Sequence, residues 1–397
     1  MNRTGKCTII NLGLVWHTDN AGNLGLGALT QGHLALLDRA GERSRVNLRK
    51  VVFQGRQPGC RYVSGLDGSV GLTNVYLLSP CGFLRDIKKL DAIIDIGDGD
   101  GFTTLYGSKR LLRQLGTKLL ARLAGVPYVI APQTIGVFEG KFARRLAKTA
   151  VGGAAHVVVR DGASAEAISE MFPGRLPLVT TDVAFAMPAK PAKLPRTEKL
   201  RVGINISGLL ANRRSSEYRI AFDYNYCALM AAVTKEFLAD ERWEVHLIGH
   251  VFSDDPIDDD GRVLEQWASR FAGIVAAPRF TTPEEAKGYI GAMDVVIASR
   301  MHACIAALGT GTPVIAVSYS DKFEGLFSTL NYPWIVPHSG MREKEALALI
   351  RSGLADLALM RREATSAQAE AERRLLIYEN FLSSLLTSLV AQKSVSR

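Results

Sequence analysis

The chain has 397 residues, 47% hydrophobic and 22% charged, with 48 basic against 39 acidic side chains and a net charge of +9. That length is too great for one ordinary core and predicts two domains with a cleft, while the lack of any apolar run near ~18 residues excludes an integral membrane protein. The surplus of cations favours an anionic partner, either a phosphorylated small molecule or an anionic membrane face; without an RNP-type aromatic-basic signature or finger spacing, nucleic acid is not expected.

In chain order, the apolar run at 7–16 is interrupted by Asn11 and reads as a first β-strand, not an export signal, which places the protein in the cytoplasm. The following stretch, HTDNAGNLGLGALTQGHLALL, is a glycine-rich turn opening a helix. Gly22, Gly25 and Gly27 suit either close approach to an oxygen-rich ligand or a tight strand-to-helix turn. The turn lacks G-x-G-x-x-G spacing and a Walker lysine, so neither a nicotinamide nor an ATP site is expected. Strands at 91–97, 127–132, 155–161 and 178–185 alternate with helical stretches, the pattern of a parallel sheet wrapped in helices.

Ligands collect beyond the carboxyl ends of such strands. After 91–97 come Asp95, Asp98 and Asp100, placed to bind sugar hydroxyls or to cap the next helix; Ile96 and Gly107 stand where a calcium loop needs ligands. Gln133 and Thr134 end the strand at 127–132. Arg160 and Asp161 end the next, either as a helix cap with its ion-pair partner or as a cation aimed at the cleft. Trp16, Phe102 and Tyr106 near strand ends read as core or as a platform for a sugar ring.

Residues 187–201 hold three prolines and five cations and form a linker. Beyond it lie strands at 201–207, 243–250, 273–278, 294–299 and 313–319, then a helical tail. The expected organisation is therefore 1–188, 199–342 and a helical segment 343–397. The five cysteines (Cys7, Cys60, Cys81, Cys227, Cys304) form no C-x-x-C pair, and nothing demands a metal.

The stretch ASRMHACIAALGTGTPVIAVSYSDKF, 298–323, carries the sharpest signal. Arg300 and His302 sit where a strand ends and a helix begins, and Lys322 follows the next strand. Parallel strands joined by one helix are usually neighbours about 4.8 Å apart, so the three cations converge. A positive helix terminus suits cations only when an anion lies among them, which makes a phosphate or carboxylate site the better reading than a core histidine with two solvated neighbours.

At these residues the sequence resembles the polysaccharide pyruvyltransferase family, through the run from Ser299 to Ala316 (S-R-M-H-A-x-I-A-A-L-x-x-G-T-P-V-I-A), NLGLGAL (23–29), DIGDGDGFTTLYG, PQTIG, VVRDGAS (158–164) and TTDVAF (180–185). The resemblance implies an α/β, GT-B-like fold: two facing Rossmann-like domains with parallel sheets and a C-terminal helix returning to the first. It implies transfer of the pyruvyl unit of phosphoenolpyruvate to two hydroxyls of a saccharide, free or lipid-linked, as a ketal, without a cofactor. Arg300, Met301 and His302 would hold the donor together with Lys322 and Arg160, with Arg300, His302 and Lys322 catalytic and His302 either the general acid or a phosphate-binding imidazolium. The acceptor residues would be Asn23, Asp95, Asp98, Asp100, Gln133 and Asp182, with Asp95 or Asp182 taking the hydroxyl's proton. Leu26 departs from the family, many members of which carry aspartate there. Alternatives are a nucleotide-sugar glycosyltransferase on the same fold and a non-catalytic glycan-assembly subunit, the basic surface touching the inner membrane face peripherally.

Overall fold

The computed structural model describes residues 8–395 except 56–60, 100, 105–106, 137 and 213–221. Asp100 and Tyr106 therefore lie outside the described residues. Two compact units emerge: the first contains residues 1–21, 29–186 and 373–397, and the second 22–28 and 187–372.

In the first unit, β1 (Ile9–Val15), α1 (Leu24–Ser44), β2 (Asn47–Gln54), β3 (Gly68–Gly71), α2 (Asn74–Leu78), α3 (Phe83–Ile87) and β4 (Ala92–Asp95) come first. They are followed by α4 (Ser108–Leu123), β5 (Tyr128–Gln133), α5 (Lys141–Gly153), β6 (His156–Val159), α6 (Gly162–Met171) and β7 (Leu178–Val179). The first turn of α1 counts with the second unit. The sheet is parallel throughout, in the order β3-β2-β1-β4-β5-β6-β7. Its central strands read as continuous apolar runs because helices cover both faces; β4 and β5 are buried at every position.

The second unit holds β8 (Leu200–Asn205), α7 (Gly208–Ala211), α8 (Tyr226–Ala239), β9 (Trp243–Leu247), α9 (Asp260–Arg270), β10 (Val275–Ala276) and α10 (Pro283–Ile290). Then come β11 (Val295–Ala298), α11 (Met301–Leu308), β12 (Val314–Val317), α12 (Lys322–Thr329), β13 (Ile335–Val336), α13 (Glu343–Ala355) and α14 (Leu357–Val395). Its parallel sheet runs β10-β9-β8-β11-β12-β13, so strand order reverses between β8 and β11. That switch point is where a doubly wound sheet opens to ligands. The expected α/β class, with a parallel sheet in each of two units and a long C-terminal helix, is the observed one, and no described helix is long and apolar enough to cross a membrane.

From Arg373 onward α14 belongs to the first unit, held there by a buried hydrogen-bonded chain. Tyr378 Oη lies 2.9 Å from His33 Nε2, and His33 Nδ1 lies 2.9 Å from His17 Nε2. His17 Nδ1 faces the Val15 carbonyl at 3.3 Å. A carbonyl only accepts, so His17 carries its proton on Nδ1, His33 donates from Nδ1 to His17, and Tyr378 donates to His33; both imidazoles are satisfied when neutral. Burial pushes His17 down to about 3, and burial followed by the neighbouring His17 charge holds His33 well below its ordinary value. Arg39 and Arg43 add ion pairs to Glu379 at 2.7 and 3.0 Å.

Both folded-state pKa values lie below the unfolded value near 6.5, so the unfolded chain binds more protons at mildly acid pH. The stability these histidines contribute is complete above about pH 6.5 and declines toward pH 3, by at most about 1.4 kcal/mol per pH unit for each group. Urea midpoints measured from neutral to acid pH should fall in that window. Tyr378→Phe, which strips His33 Nε2 of its donor, should cost about 1–2 kcal/mol at neutral pH.

Candidate functional site

In the second unit, β11 closes at Ala298 and Arg300 is the extended N-cap of α11, with φ −94° and ψ 126°. Asn205, at the end of β8, spans the switch point. Its Oδ1 accepts from the backbone N–H groups of Ser299 (3.3 Å) and Arg300 (2.9 Å), while its Nδ2 donates to the Ile248 carbonyl. Tyr226 Oη donates to Ser299 Oγ at 2.8 Å and accepts from Ser207 N.

The Arg300 guanidinium is buried and held on one edge. Nε and Nη2 both donate to Asp260 Oδ1, at 3.1 and 2.7 Å, and Nη2 also reaches the Asp258 carbonyl at 3.0 Å and its carboxylate at 2.7 Å. Burial opposes the charge, but the two carboxylates outweigh it and raise the pKa further above its ordinary value. Among the described residues Nη1 has no hydrogen-bond partner, so Arg300 has one nitrogen to offer an anion.

Asp260 is fully buried and does more than pair with Arg300. Oδ1 accepts from Gly208 N at 2.8 Å, and Oδ2 accepts from His250 N and Val251 N, each at 3.0 Å. One carboxylate thus ties together the chain segments that follow β8, β9 and β11.

His250 and His302 meet at this point. His250 is 2% exposed, and neither ring nitrogen has a hydrogen-bond partner in another described residue. Burial and then the charges of His302 and Arg300 lower its pKa to about 3. The segment at the start of α1 lies alongside: Leu24 N donates to the His250 carbonyl, and Asn23 pairs with Val251 in an antiparallel bridge. Asn23 Oδ1 accepts from Gly25 N at 3.0 Å. A Cβ on Gly25 would fall 2.4 Å from His302 Nδ1, so this glycine is required by close approach to an imidazole.

Met301 is buried in the unit's interior. Lys322 opens α12, its Nζ 4.8 Å from the Tyr319 ring centroid. Beside it Glu324, to which Ser318 Oγ donates at 3.5 Å, has its pKa raised by burial.

In the first unit, Arg160 is 1% exposed. Its Nη1 donates to Asp182 Oδ2 at 2.8 Å, and Nε lies 3.6 Å from Asp161 Oδ2, an ion-pair distance too long for a hydrogen bond. Asp161 caps α6, as the sequence suggested, accepting from Ser164 N. Among the described residues Arg160 Nε and Nη2 have no hydrogen-bond partner.

The turn after β4 is clamped by α4. Lys118 Nζ pairs with Asp95 Oδ2 at 2.7 Å, Gln114 Nε2 donates to the Gly97 carbonyl, and Arg110 Nη2 donates to the carbonyls of Gly97 and Asp98. The helix-cap reading of these aspartates needs correction. Gly107 stands at the N-cap of α4, while Asp95 accepts instead from Gly97 N within its own turn. Asp98 adopts φ 58° and lies 3.7 Å from Arg110. Gln133 Nε2 donates to the Asp95 carbonyl, leaving Oε1 buried without a partner among the described residues. Trp16 and Phe102 are core residues.

The sequence reading missed Asn205, His250 and Asp260. The signal for the latter pair was present: strand WEVHLIGH ends in a histidine and is followed by SDDPIDDD, a run of acids placed beside a strand-end arginine.

The model of a protein family, Polysaccharide pyruvyl transferase, matches residues 36–321, a span that includes Arg160, Arg300 and His302 and stops one residue short of Lys322. Among solved structures, the UDP-GlcNAc 2-epimerase of Neisseria meningitidis bound to UDP-GlcNAc is 8% identical over 94% of this chain and 100% of that one, with a TM-score of 0.56. S. aureus MnaA, solved with UDP, is 10% identical over 92% and 94%, TM-score 0.56. Sucrose-phosphate synthase of Thermosynechococcus elongatus is 12% identical over 98% and 100%, TM-score 0.54. At these identities the likeness is one of fold.

Replacing Asp260 with alanine leaves the Arg300 charge buried beside a single half-exposed carboxylate. Urea denaturation should register a loss of about 3–5 kcal/mol, against under about 1 kcal/mol for Asp258→Ala, whose side chain is 32% exposed.

Proposed function

Because the chain belongs to the polysaccharide pyruvyl transferase family, we propose that this transferase moves the pyruvyl unit of phosphoenolpyruvate onto two hydroxyls of a saccharide, forming a ketal and releasing phosphate. The observation that carries the reading is the family match over 36–321, joined to a strand-end Arg-Met-His in which the guanidinium is fixed and the imidazole is crowded against a glycine.

Phosphoenolpyruvate carries about three negative charges, whose desolvation only fixed cations and N–H donors offset. In the second unit we assign the donor to Arg300 Nη1, His302, Lys322 and the N-terminus of α11, with Met301 shaping the turn from the interior. In the first unit we assign ligand contacts to the Arg160 nitrogens and acceptor-hydroxyl contacts to Asp98 and Gln133 Oε1; Asp95 and Asp182 are each already ion-paired. His302 gives a proton to C3 of the enol as the first hydroxyl oxygen bonds to C2, and that hydroxyl's proton passes to His250, the buried neutral imidazole. The second hydroxyl oxygen then bonds to C2 as the C2–O bond to phosphate breaks, its proton leaving with the phosphate. Return of His250's proton to His302 resets the pair. Burial keeps the His250 imidazole neutral and so able to take up a proton.

Incubation with phosphoenolpyruvate and a panel of 4-nitrophenyl glycosides, followed by phosphate release, tests the reading; activity with UDP-GlcNAc in place of phosphoenolpyruvate would instead support a glycosyltransferase. His302→Gln and His250→Gln should each lower turnover by about 10²- to 10⁴-fold. Gly25→Ala, which removes no proposed ligand but drives a methyl into the His302 ring, should reduce turnover while phosphoenolpyruvate, still held by Arg300 and Lys322, stabilises the protein thermally. Unchanged turnover in the Gly25 variant would show that the imidazole's placement is immaterial.

A further inference from the structure

The first unit carries a surface unrelated to these residues. β4, β5 and β6 are consecutive parallel neighbours, so their right-handed crossovers put α4 and α5 side by side on one face of the sheet. Together these helices hold nine cations and no acid: Lys109, Arg110, Arg113, Lys118 and Arg122 in the first, Lys141, Arg144, Arg145 and Lys148 in the second. Of the chain's 48 lysines and arginines this leaves 39, matched by its 39 acids, so the whole net charge of +9 resides in two helices. The next helix on that side, α6, has two glutamates and no cation.

Three of the nine turn inward or are half-buried, among them Lys118 on Asp95 and Arg113 on the Leu72 carbonyl, while Lys109, Arg122 and all four cations of α5 are exposed. Apolar side chains stand among them. Leu112, Leu119 and Leu123 of α4 are 53%, 36% and 74% exposed, and Phe142 of α5 is 72% exposed. At about 100° per residue the three leucines fall within an arc of about 40°, with Lys109 on one flank and Arg122 on the other. Lys141, Arg145 and Lys148, spaced i, i+4, i+7, form the outward stripe of α5.

We propose that this face of α4 and α5 docks on an anionic lipid bilayer, the cations contacting headgroups and the leucines with Phe142 entering the interfacial region. The acid-free cationic field matches a negative membrane surface, and an aligned leucine stripe ringed by lysine and arginine matches the boundary between headgroup and acyl chain. A polyanion such as nucleic acid uses the cations and gives no role to the leucines.

The proposal is tested by co-sedimentation of the full chain with vesicles of phosphatidylcholine alone and of phosphatidylcholine containing phosphatidylglycerol. Binding is expected only with the anionic vesicles and should collapse at about 1 M salt, where the Debye length is about 3 Å. The variant Lys141→Glu/Arg145→Glu/Lys148→Glu should weaken partitioning by at least about fivefold per charge. Leu112→Ser/Leu119→Ser/Leu123→Ser should weaken it by about tenfold or more with all cations retained, and circular dichroism should show both variants folded. Failure of the parent chain to sediment with anionic vesicles at low salt overturns the proposal. So does undiminished binding by the folded leucine variant, or binding to a DNA duplex that outcompetes the vesicles, either of which would make the face a polyanion site.

Discussion

The geometry of the second unit's switch point depends on one buried carboxylate. Asp260 accepts hydrogen bonds from three backbone N–H groups in two separate loops and from both Nε and Nη2 of Arg300. Beside it, the Asn205 amide joins the end of β8 to the segments after β9 and β11, and the Tyr226 hydroxyl joins those after β8 and β11. Such a network contributes little net stability, because desolvating two charges costs nearly as much as their attraction returns; what it contributes is a single arrangement. The arginine's orientation is therefore set by the fold itself.

The first unit repeats the device in different chemistry. Arg160 is bound to Asp182 and faced by Asp161, as Arg300 is by Asp260 and Asp258. Each strand-end arginine is therefore over-neutralised locally, and each keeps a different part of its fork: Nη1 in Arg300, Nε and Nη2 in Arg160. The guanidinium's planarity is what allows one edge to be anchored and another presented. A lysine, with its donors on one rotating atom, has no second edge.

Much of this was legible in the chain. β11, α11 and β12 could be read to within a residue or two because fully buried parallel strands leave unbroken apolar runs, and glycine at 309 marks the helix end. β2 is absent from the sequence reading, because Arg49 and Lys50 interrupt its run. Lys50 is buried against Asp38, and its backbone N–H is taken by Asp67, partners that sequence order does not reveal. β3 and β13 are too short and, in β3, too glycine-rich to announce themselves. At the site, residue types after strands were visible, but partnership was not. Nothing local says that Arg300 pairs with an acid forty positions earlier, or that Gly25 is shaped by a histidine 277 positions later.

Net charge illustrates the same limit from the opposite side. A surplus of nine cations reads naturally as a pool drawn upon by an anionic ligand, with the strand-end arginines as its obvious members. In the folded chain those arginines are paid for by aspartates within 4 Å, and the surplus stands elsewhere, on α4 and α5. Field strength at a buried site is set by a few fixed pairs in a low-dielectric setting, whereas net charge describes what the solvated surface presents at a distance of a Debye length. The two quantities answer different questions, and a sequence total speaks only to the second.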